Sequence, residues 1–321
     1  MPTYLYTFLL SIIFMFLFVP ISIKIGYKYN ILDRLEPKAK EISEVNNSRK
    51  KIHSKITPRT GGIALFISFW SAIFITIGSS KQIFGIFIGS LFLFLFMLYD
   101  DKYNLSPKFK LLIQIISACI PIFFGVKINF FSNILTKEYY AIGFWGIPLT
   151  IAWCVALVNA MNLIDGLDGL ASGIAAIASL GIVFISLSRG LMVATTFGIS
   201  IVAICLVFLR YNFYPSKIIL GDNGAQFLGY IVAMIAVLGG LKTSTSVLIV
   251  ASALAFGLPI FDIFFSIMTR IKKKTPIYKA DLENIHYQLY KRGWSQRRIA
   301  ILFYLVTVLL FIIPYLIFFN K

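Results

Sequence analysis

The sequence predicts an all-α, polytopic integral membrane protein, with about ten transmembrane helices in a single domain that spans residues 1–321. Three observations lead to this fold class. Hydrophobic residues make up 59% of the chain and the mean hydropathy is +0.85, values that exclude an ordinary soluble domain. Apolar runs recur at the length of about 20 residues that a helix needs to cross a hydrocarbon core. Lys and Arg are distributed unevenly over the connections between these runs.

Each predicted helix is an apolar run bounded by charged or turn-forming residues. The first run lacks a basic n-region and a small-residue cleavage site, which predicts a retained helix rather than a signal peptide. Residues 127–146, between the fourth and fifth runs, are rich in aromatics and suit an interfacial belt or a small hairpin. The ten runs, in order, are 4–23, 61–79, 83–99, 111–126, 147–163, 170–188, 190–209, 225–240, 245–268 and 299–319.

The basic residues predict the orientation of these helices. Of the 30 Lys and Arg residues, 24 lie in the odd-numbered connections, counted from the N-terminus. The positive-inside rule makes those connections cytoplasmic and places both termini outside, in an inner (cytoplasmic) membrane. The net charge of +17 is then a consequence of topology, with some attraction to anionic lipid headgroups. We therefore expect the lipid bilayer as a partner and no nucleic acid.

Five aspartates interrupt this apolar chain at the ends of predicted helices. Asp100 and Asp101 lie in the third connection, Asp165 and Asp168 in the fifth, and Asp222 in the seventh. All three connections are odd-numbered, so the active face is predicted to be cytoplasmic. An ionisable group at membrane depth costs several kcal/mol unless it is paired, hydrated or metal-bound, so it marks a functional site. Carboxylates beside Asn and Gly are typical of a hard divalent cation and a phosphate substrate.

The most specific of these motifs is NAMNLIDGLDGLASG. Asn159, Asn162, Asp165 and Asp168 follow one another at three-residue intervals, which would place them along one face of a helix. The glycines that follow allow a tight turn and a close approach of backbone N–H groups to an anion. Helix capping explains one Asp and one Gly, but it does not explain four polar side chains in register. We therefore predict a site here.

The other two aspartate motifs have simpler alternatives. Asp100 and Asp101 lie near Lys108 and Lys110, so one carboxylate could hold Mg²⁺ or orient an acceptor while a lysine takes phosphate charge. A solvated loop at the C-terminus of a helix explains the pair equally well. Asp222 could be a helix N-cap, but its position on the same face as the other carboxylates favours a metal ligand.

The chain has two histidines, His53 and His286, and both lie in basic cytoplasmic loops. A lone histidine in a loop is usually solvated, and we interpret His53 in this way on the loop sequence alone. His286 lies between Asp281 and Lys291, a setting that suits a diphosphate. Asp262 falls inside a predicted helix, where pairing with a polar group of a neighbouring helix is the alternative to catalysis.

Taken in order, these motifs resemble the polyprenyl-phosphate N-acetylhexosamine-1-phosphate transferases, the MraY/WecA-like membrane enzymes of glycosyltransferase family 4. The resemblance covers nearly the whole chain, and the ordered set is specific although each piece is short. The landmarks are Asp33, Arg49 to His53, Pro58, Gly61-Gly62, Asp100-Asp101, Leu105 to Lys108, Asn159 to Ala171, Gly221-Asp222-x-Gly224 and Pro259-x-x-Asp262.

The resemblance implies a reaction in which polyprenyl (undecaprenyl) phosphate attacks the sugar-attached phosphorus of a UDP-sugar and UMP leaves. It implies Mg²⁺ as the cofactor, with Mn²⁺ as the alternative, and it leaves a homodimer open. The residues carried over fall into three groups. Catalytic roles fall to Asp100, Asp101, Asp168 and His286, substrate-binding roles to Asn159, Asn162, Lys110, Asp33 and His53, and metal coordination to Asp165 and Asp222.

Two features depart from the family pattern. The stretch between Asp33 and His53 is longer than usual. The last cytoplasmic loop reads Asn284-Ile285-His286-Tyr287 where relatives carry a histidine cluster. The single histidine argues against the branch that acts on the muramoyl-pentapeptide nucleotide. In this loop the chain resembles the enzymes that initiate O-antigen or similar surface polysaccharides, and UDP-N-acetylglucosamine is the default donor.

The competing functional class is a transporter or channel with a carboxylate-lined ion path. Such a protein would carry charges on both faces or through the depth of the membrane. Here, apart from Asp262, the acidic motifs lie at one face, which favours the enzyme. An inactive assembly subunit is disfavoured because no motif aspartate is missing.

Overall fold

The computed structural model of this chain confirms the all-α fold class. It describes residues 2–33, 56–132, 139–238, 249, 252–253, 256–272 and 284–319. The helices of the described residues are α1 (Thr3–Tyr29), α2 (Gly61–Ile77), α3 (Lys81–Tyr103), α4 (Pro107–Phe123), α5 (Gly146–Ile164), α6 (Leu170–Ser188), α7 (Met192–Asn212), α8 (Gly221–Leu238), α9 (Gly257–Lys272), α10 (Ile285–Lys291) and α11 (Gln296–Phe319).

Each of the ten predicted runs overlaps one of these helices, and the run 170–188 coincides with α6. The short helix α10 was not predicted. Within the described residues, six helices are long and apolar enough to cross a membrane: α1, α3, α5 with the 3₁₀ turn before it, α6, α7 and α8. Helix α2 is apolar but shorter. Ten membrane crossings therefore remain a prediction.

Helix α8 lies at the centre of the bundle. Nearly all of its side chains are buried, and it packs against α2, α3, α5 and α7. Its contact with α5 is close, because a Cβ atom at Gly229 would lie 2.6 Å from the carbonyl oxygen of Leu157. Outer helices instead expose large apolar side chains such as Ile13, Phe123 and Leu309. Apolar groups on the outside of a helical bundle suit lipid as the surrounding solvent.

Two short antiparallel strand pairs join the helices. Strand β1 (Leu32–Asp33) pairs with β2 (Thr57–Pro58), which brings the chain after α1 next to the start of α2. The amide of Ile219 donates to the carbonyl of Pro58 at 3.0 Å, so the segment before α8 lies beside this pair. Strand β3 (Phe130–Ser132) pairs with β4 (Tyr139–Ala141), which agrees with the hairpin alternative for residues 127–146.

Candidate active site

Acidic side chains from several connections meet at one end of the bundle, together with two cations. Nζ of Lys110 lies 2.6 Å from Oδ2 of Asp100 and 2.7 Å from Oδ2 of Asp222. The guanidinium of Arg59 lies 3.2 Å from Asp222, 3.3 Å from Asp101 and 3.9 Å from Asp33. Side chains that the sequence predicted on one face therefore do converge, although they are far apart along the chain.

The corner between α3 and α4 positions Asp100 and Lys110. Asn104 ends α3 in the left-handed conformation, with φ of 56°, which asparagine adopts with less strain than most residues. Its amide donates to the carbonyl of Asp100 at 2.8 Å. Ser106 caps α4. The prediction of a loop at Asp100 and Asp101 was wrong, since both lie in the last turn of α3 and are buried.

Asp101 holds the N-terminus of α8. Its carboxylate accepts hydrogen bonds from the backbone amides of Asp222 at 2.8 Å and Asn223 at 3.1 Å, and from the Asn223 side chain. These amides are among those that a helix leaves unpaired at its start. Gly221 is required here, because its φ is +73° and a Cβ atom would lie 2.6 Å from the carbonyl oxygen of Arg59. Asp222 is thus not the N-cap but a first-turn residue of α8.

Asp165 lies at the turn after α5. The predicted register of four polar side chains on one helical face was wrong, because α5 ends at Ile164 and only Asn159 and Asn162 belong to it. Asp165 is half-buried, and no salt bridge reaches it from the part of the chain that the structure describes. Burial, followed by the nearby charge of Asp222, raises the pKa of Asp165 well above its usual range, although Arg59 acts in the opposite direction.

Arg59 carries the matching positive charge. Burial acts to lower the pKa of its guanidinium, but the carboxylates of Asp101 and Asp222 outweigh burial, and the pKa is raised. Arg59 therefore remains charged inside the cluster. Sequence reasoning missed this residue, because it counted Arg59 among the basic residues that set topology. The sequence feature that could have identified Arg59 as a site residue is its position immediately before Thr60 and the glycine pair at the start of α2.

Two of the predicted site residues make contacts that hold the fold together. Oδ2 of Asp168 accepts from the amide of Ser216 at 3.0 Å, and the amide of Asp168 donates to Gln296 at 3.2 Å. These bonds tie the turn after α5 to the segment between α7 and α8 and to the start of α11. Asn159 donates to Oε1 of Gln114 at 2.7 Å. Sequence reasoning also missed Gln114. An amide side chain inside an apolar run was the feature that could have identified it.

His286 lies against the turn that carries Asp165. It is fully buried in α10, and a Cβ atom at Gly166 would lie 2.6 Å from its Nε2. Its Nδ1 lies 3.5 Å from Oδ2 of Asp262, whose Oδ1 accepts from the amide of Ile285 at 2.8 Å. Asp262 thus pairs with polar groups of a neighbouring helix. His53 lies outside the described residues.

The net charge and the ligand type of the cluster, considered apart from its geometry, suit a hard divalent cation. Asp33, Asp100, Asp101, Asp165 and Asp222 supply five carboxylates, whereas Arg59 and Lys110 supply two positive charges. Oxygen ligands and an excess of negative charge suit Mg²⁺. Within the described ranges, however, no three His, Cys, Asp or Glu residues form a group that could hold a metal ion. Both oxygens of Asp222 already face a cation, which limits Asp222 as a ligand while those pairs persist.

Comparison with known proteins decides the family. The model of "Glycosyl transferase family 4" matches residues 83–240. A Bacillus subtilis (strain 168) protein named "Probable undecaprenyl-phosphate N-acetylglucosaminyl 1-phosphate transferase" is 36% identical over 300 residues, 93% of this chain and 80% of the relative. The chain belongs to glycosyl transferase family 4. The resemblance inferred from the motifs is thereby confirmed.

Other relatives of this family 4 protein fall into two groups by name. "Decaprenyl-phosphate N-acetylglucosaminephosphotransferase" of Mycobacterium tuberculosis (strain ATCC 25618 / H37Rv) is 28% identical over 312 residues, 84% of this chain and 75% of the relative. "Phospho-N-acetylmuramoyl-pentapeptide-transferase" of Clostridium botulinum (strain Eklund 17B / Type B) is 26% identical over 331 residues, 98% of this chain and 96% of the relative.

Proposed function

We propose that this family 4 protein transfers N-acetylglucosamine 1-phosphate from a UDP-sugar to undecaprenyl phosphate and releases UMP. The reaction class, transfer of a sugar 1-phosphate to polyprenyl phosphate, is that of the relatives from Bacillus and Mycobacterium. The observation that carries the proposal is the cluster of five carboxylates and two cations at one end of a bundle of membrane-length helices. A lipid acceptor and a water-soluble nucleotide can meet at such an end.

In this reaction a phosphate oxygen of the lipid forms a bond to the sugar-attached phosphorus, and the bond from that phosphorus to UMP breaks. We assign Asp100 to positioning of the acceptor, because Asp101 is engaged by the amides of α8. Lys110 contacts Asp100 and Asp222 and would pair with phosphate oxygens when substrate is present. Arg59 would hold Asp222 and Asp101 in place during the reaction.

We propose Asp165 and Asp222 as the residues that hold Mg²⁺ or Mn²⁺. When bound, the cation would neutralise charge on the diphosphate and stabilise the departing UMP. Asp165 supports this role because it is half-buried, its pKa is raised, and Asp222 is a near neighbour. Asn162 lies in the last turn of α5, just before Asp165, and its side-chain oxygen would be a further ligand. His286 lies against the Asp165 turn, where its Nε2 would reach a phosphate.

The branch and the location are further parts of the proposal. The 36% identical relative is named for N-acetylglucosamine, and the single histidine of the last loop agrees with that branch. The distribution of Lys and Arg supports an active face in the cytoplasm of an inner-membrane protein. The product would start a lipid-linked surface polysaccharide such as O-antigen. Relatives named for the pentapeptide donor make the muramoyl-pentapeptide nucleotide the second candidate substrate.

The test is a donor panel with purified protein in lipid nanodiscs. Undecaprenyl phosphate and Mg²⁺ are supplied with UDP-N-acetylglucosamine, UDP-N-acetylgalactosamine or UDP-N-acetylmuramoyl-pentapeptide, and UMP release and lipid products are measured. We expect undecaprenyl-diphosphate-N-acetylglucosamine with stoichiometric UMP. A lipid product from the pentapeptide donor alone would move the protein to the other branch. Absence of UMP release with every donor, beside an active relative as positive control, would overturn the proposed function.

A further inference from the structure

Beneath the carboxylate cluster, three amide side chains form a buried polar contact inside the bundle. Nε2 of Gln114 on α4 donates to Oε1 of Gln226 on α8 at 3.0 Å. Asn159 on α5 donates to Oε1 of Gln114 at 2.7 Å. Gln114 and Gln226 are buried. Because α4, α5 and α8 carry Lys110, Asp165 and Asp222 at or next to their ends, the amides lie between helices that build the site.

The amide pair repeats the ion pair one helical turn further along. Gln114 follows Lys110 by four residues, and Gln226 follows Asp222 by four. In an α-helix, residues four apart lie one above the other on one face. Lys110–Asp222 and Gln114–Gln226 are therefore two successive pairs of long side chains, or rungs, that connect α4 with α8, while α4 itself packs against α3 and α5. A third rung follows, since the hydroxyl of Tyr230 donates to the carbonyl of Ser117 at 3.2 Å.

We infer that Gln114 and Gln226 are positioning residues, whose amide rung fixes the axial register of α4 against α8 and thereby the meeting of Lys110 with Asp222. The inference rests on the proposed function for its catalytic consequence. Amide hydrogen bonds are directional, whereas apolar side chains tolerate sliding of one helix along another. A single buried amide pair is known to set register in this way in coiled coils.

Simple stabilisation explains the pair less well. Nε2 of Gln226 is buried and finds no hydrogen-bond partner among the described residues. A buried donor without a partner costs about 1–3 kcal/mol, so an apolar side chain of similar volume at 226 would pack at no greater cost. Register is what the amide contributes and an apolar side chain does not.

The experiment measures catalysis and register separately. Gln114→Met and Gln226→Met keep side-chain length and remove the amide. We expect each to lower kcat about 10–100-fold, the scale on which a misplacement of about 1 Å acts, with KM for the UDP-sugar within about threefold of wild type. The control is Ser200→Ala, which removes another buried polar pair, Ser11–Ser200 at 2.8 Å, between α1 and α7. It should retain wild-type kcat with a similar change in thermal midpoint.

The axial register of α4 against α8 is measured by crosslinking, which does not depend on enzymatic activity. Lys110→Cys and Asp222→Cys are combined in a background without native cysteines, and the rate of crosslinking by a short bifunctional thiol reagent is measured. Adding Gln226→Met should slow crosslinking at least fivefold, whereas adding Ser200→Ala should not change the rate. Equal rates in all three proteins would overturn the inference. If the wild type proved inactive with every donor but crosslinking still depended on Gln226, the proposed function would fail and the register role would stand.

Discussion

The carboxylate of Asp101 accepts a hydrogen bond from the backbone amide of Asp222 at 2.8 Å, so the end of α3 caps the start of α8. This contact separates the roles of two adjacent acids. Asp101 is bound to the amides of Asp222 and Asn223 and to the guanidinium of Arg59. Asp100 has Lys110 and the amide of Leu105 as partners. Replacing one acid should therefore affect the protein differently from replacing the other.

We expect Asp101→Asn to destabilise the protein and Asp100→Asn to inactivate it. The NH₂ group of an asparagine at 101 would face the backbone N–H groups at the start of α8. Buried donors would then be left without acceptors, at a cost of about 1–3 kcal/mol. Its thermal midpoint in detergent should fall. Asp100→Asn should keep its midpoint but lose kcat by about 100-fold or more, because it changes the group that we propose positions the acceptor phosphate. Two variants with equal midpoints and equal kcat would contradict this division.

Metal removal should abolish transfer. Four carboxylates of the cluster face its two cations, so Asp165 and a bound diphosphate would add negative charge that a metal ion can neutralise. We expect EDTA treatment to stop UMP release and Mg²⁺ or Mn²⁺ to restore it, with Ca²⁺ and Zn²⁺ less effective. Full turnover in rigorously chelated buffer would remove the metal from the mechanism and leave Lys110 and Arg59 as the sole cations.

Asp165→Asn and Asp222→Asn test the proposed metal ligands directly. Each change keeps side-chain size and removes a charge, and each should lower kcat by at least about 100-fold, equivalent to roughly 3 kcal/mol of transition-state stabilisation. The matched control is Asp168→Asn, because Asp168 accepts a backbone amide in the fold. That variant should lose thermal stability more than Asp165→Asn does. Activity of Asp222→Asn within about threefold of wild type would exclude Asp222 as a ligand.

The helices could be predicted from sequence because each is a continuous apolar run, and membrane length sets where such a run must begin and end. The shared face of the aspartates could also be predicted, because alternate connections of a membrane bundle lie on one side. Lys110 was found on the same grounds. These predictions depend only on position along the chain and on the thickness of the bilayer.

The partners within the site could not be predicted, because they depend on which helices pack together. Nothing in the sequence near Arg59 indicates that it meets Asp222, which is 163 residues away. Asn159 has the spacing of a site residue, yet it contacts Gln114 because α4 packs against α5. Asp168 continues the three-residue pattern of α5, but the helix has already ended, so its carboxylate turns to Ser216.

Asp262 should act through His286. Its carboxylate lies 3.5 Å from Nδ1, which would keep the proton on that nitrogen and leave Nε2 facing the Asp165 turn. We expect Asp262→Asn to lower kcat about 10–100-fold, as loss of an orienting partner does. In a His286→Ala background the same change should have no further effect. Thr269→Ala, a change at a half-exposed residue of α9, is the control. Independent, multiplicative losses would show that Asp262 supports the fold and does not orient His286.

The orientation of the bundle can be tested with single cysteines at exposed serines. Ser106 precedes α4, Ser295 precedes α11, and Ser188 ends α6, and all three are exposed. The distribution of positive charge over the connections predicts that Ser106 and Ser295 lie in the cytoplasm and Ser188 outside. The proteins are made as Ser→Cys variants in a background without Cys119, Cys154 and Cys205, because those thiols would otherwise contribute to the labelling.

A membrane-impermeant maleimide applied to intact cells should label the cysteine at 188 and spare those at 106 and 295. After permeabilisation all three should react, which shows that each thiol is accessible in the folded protein. The outcome discriminates because Ser106 lies at the same end of the bundle as Lys110 and the carboxylate cluster. Labelling of position 106 from outside would place the cluster on the outer face, away from any cytosolic nucleotide sugar. The orientation and the proposed donor would then fail together.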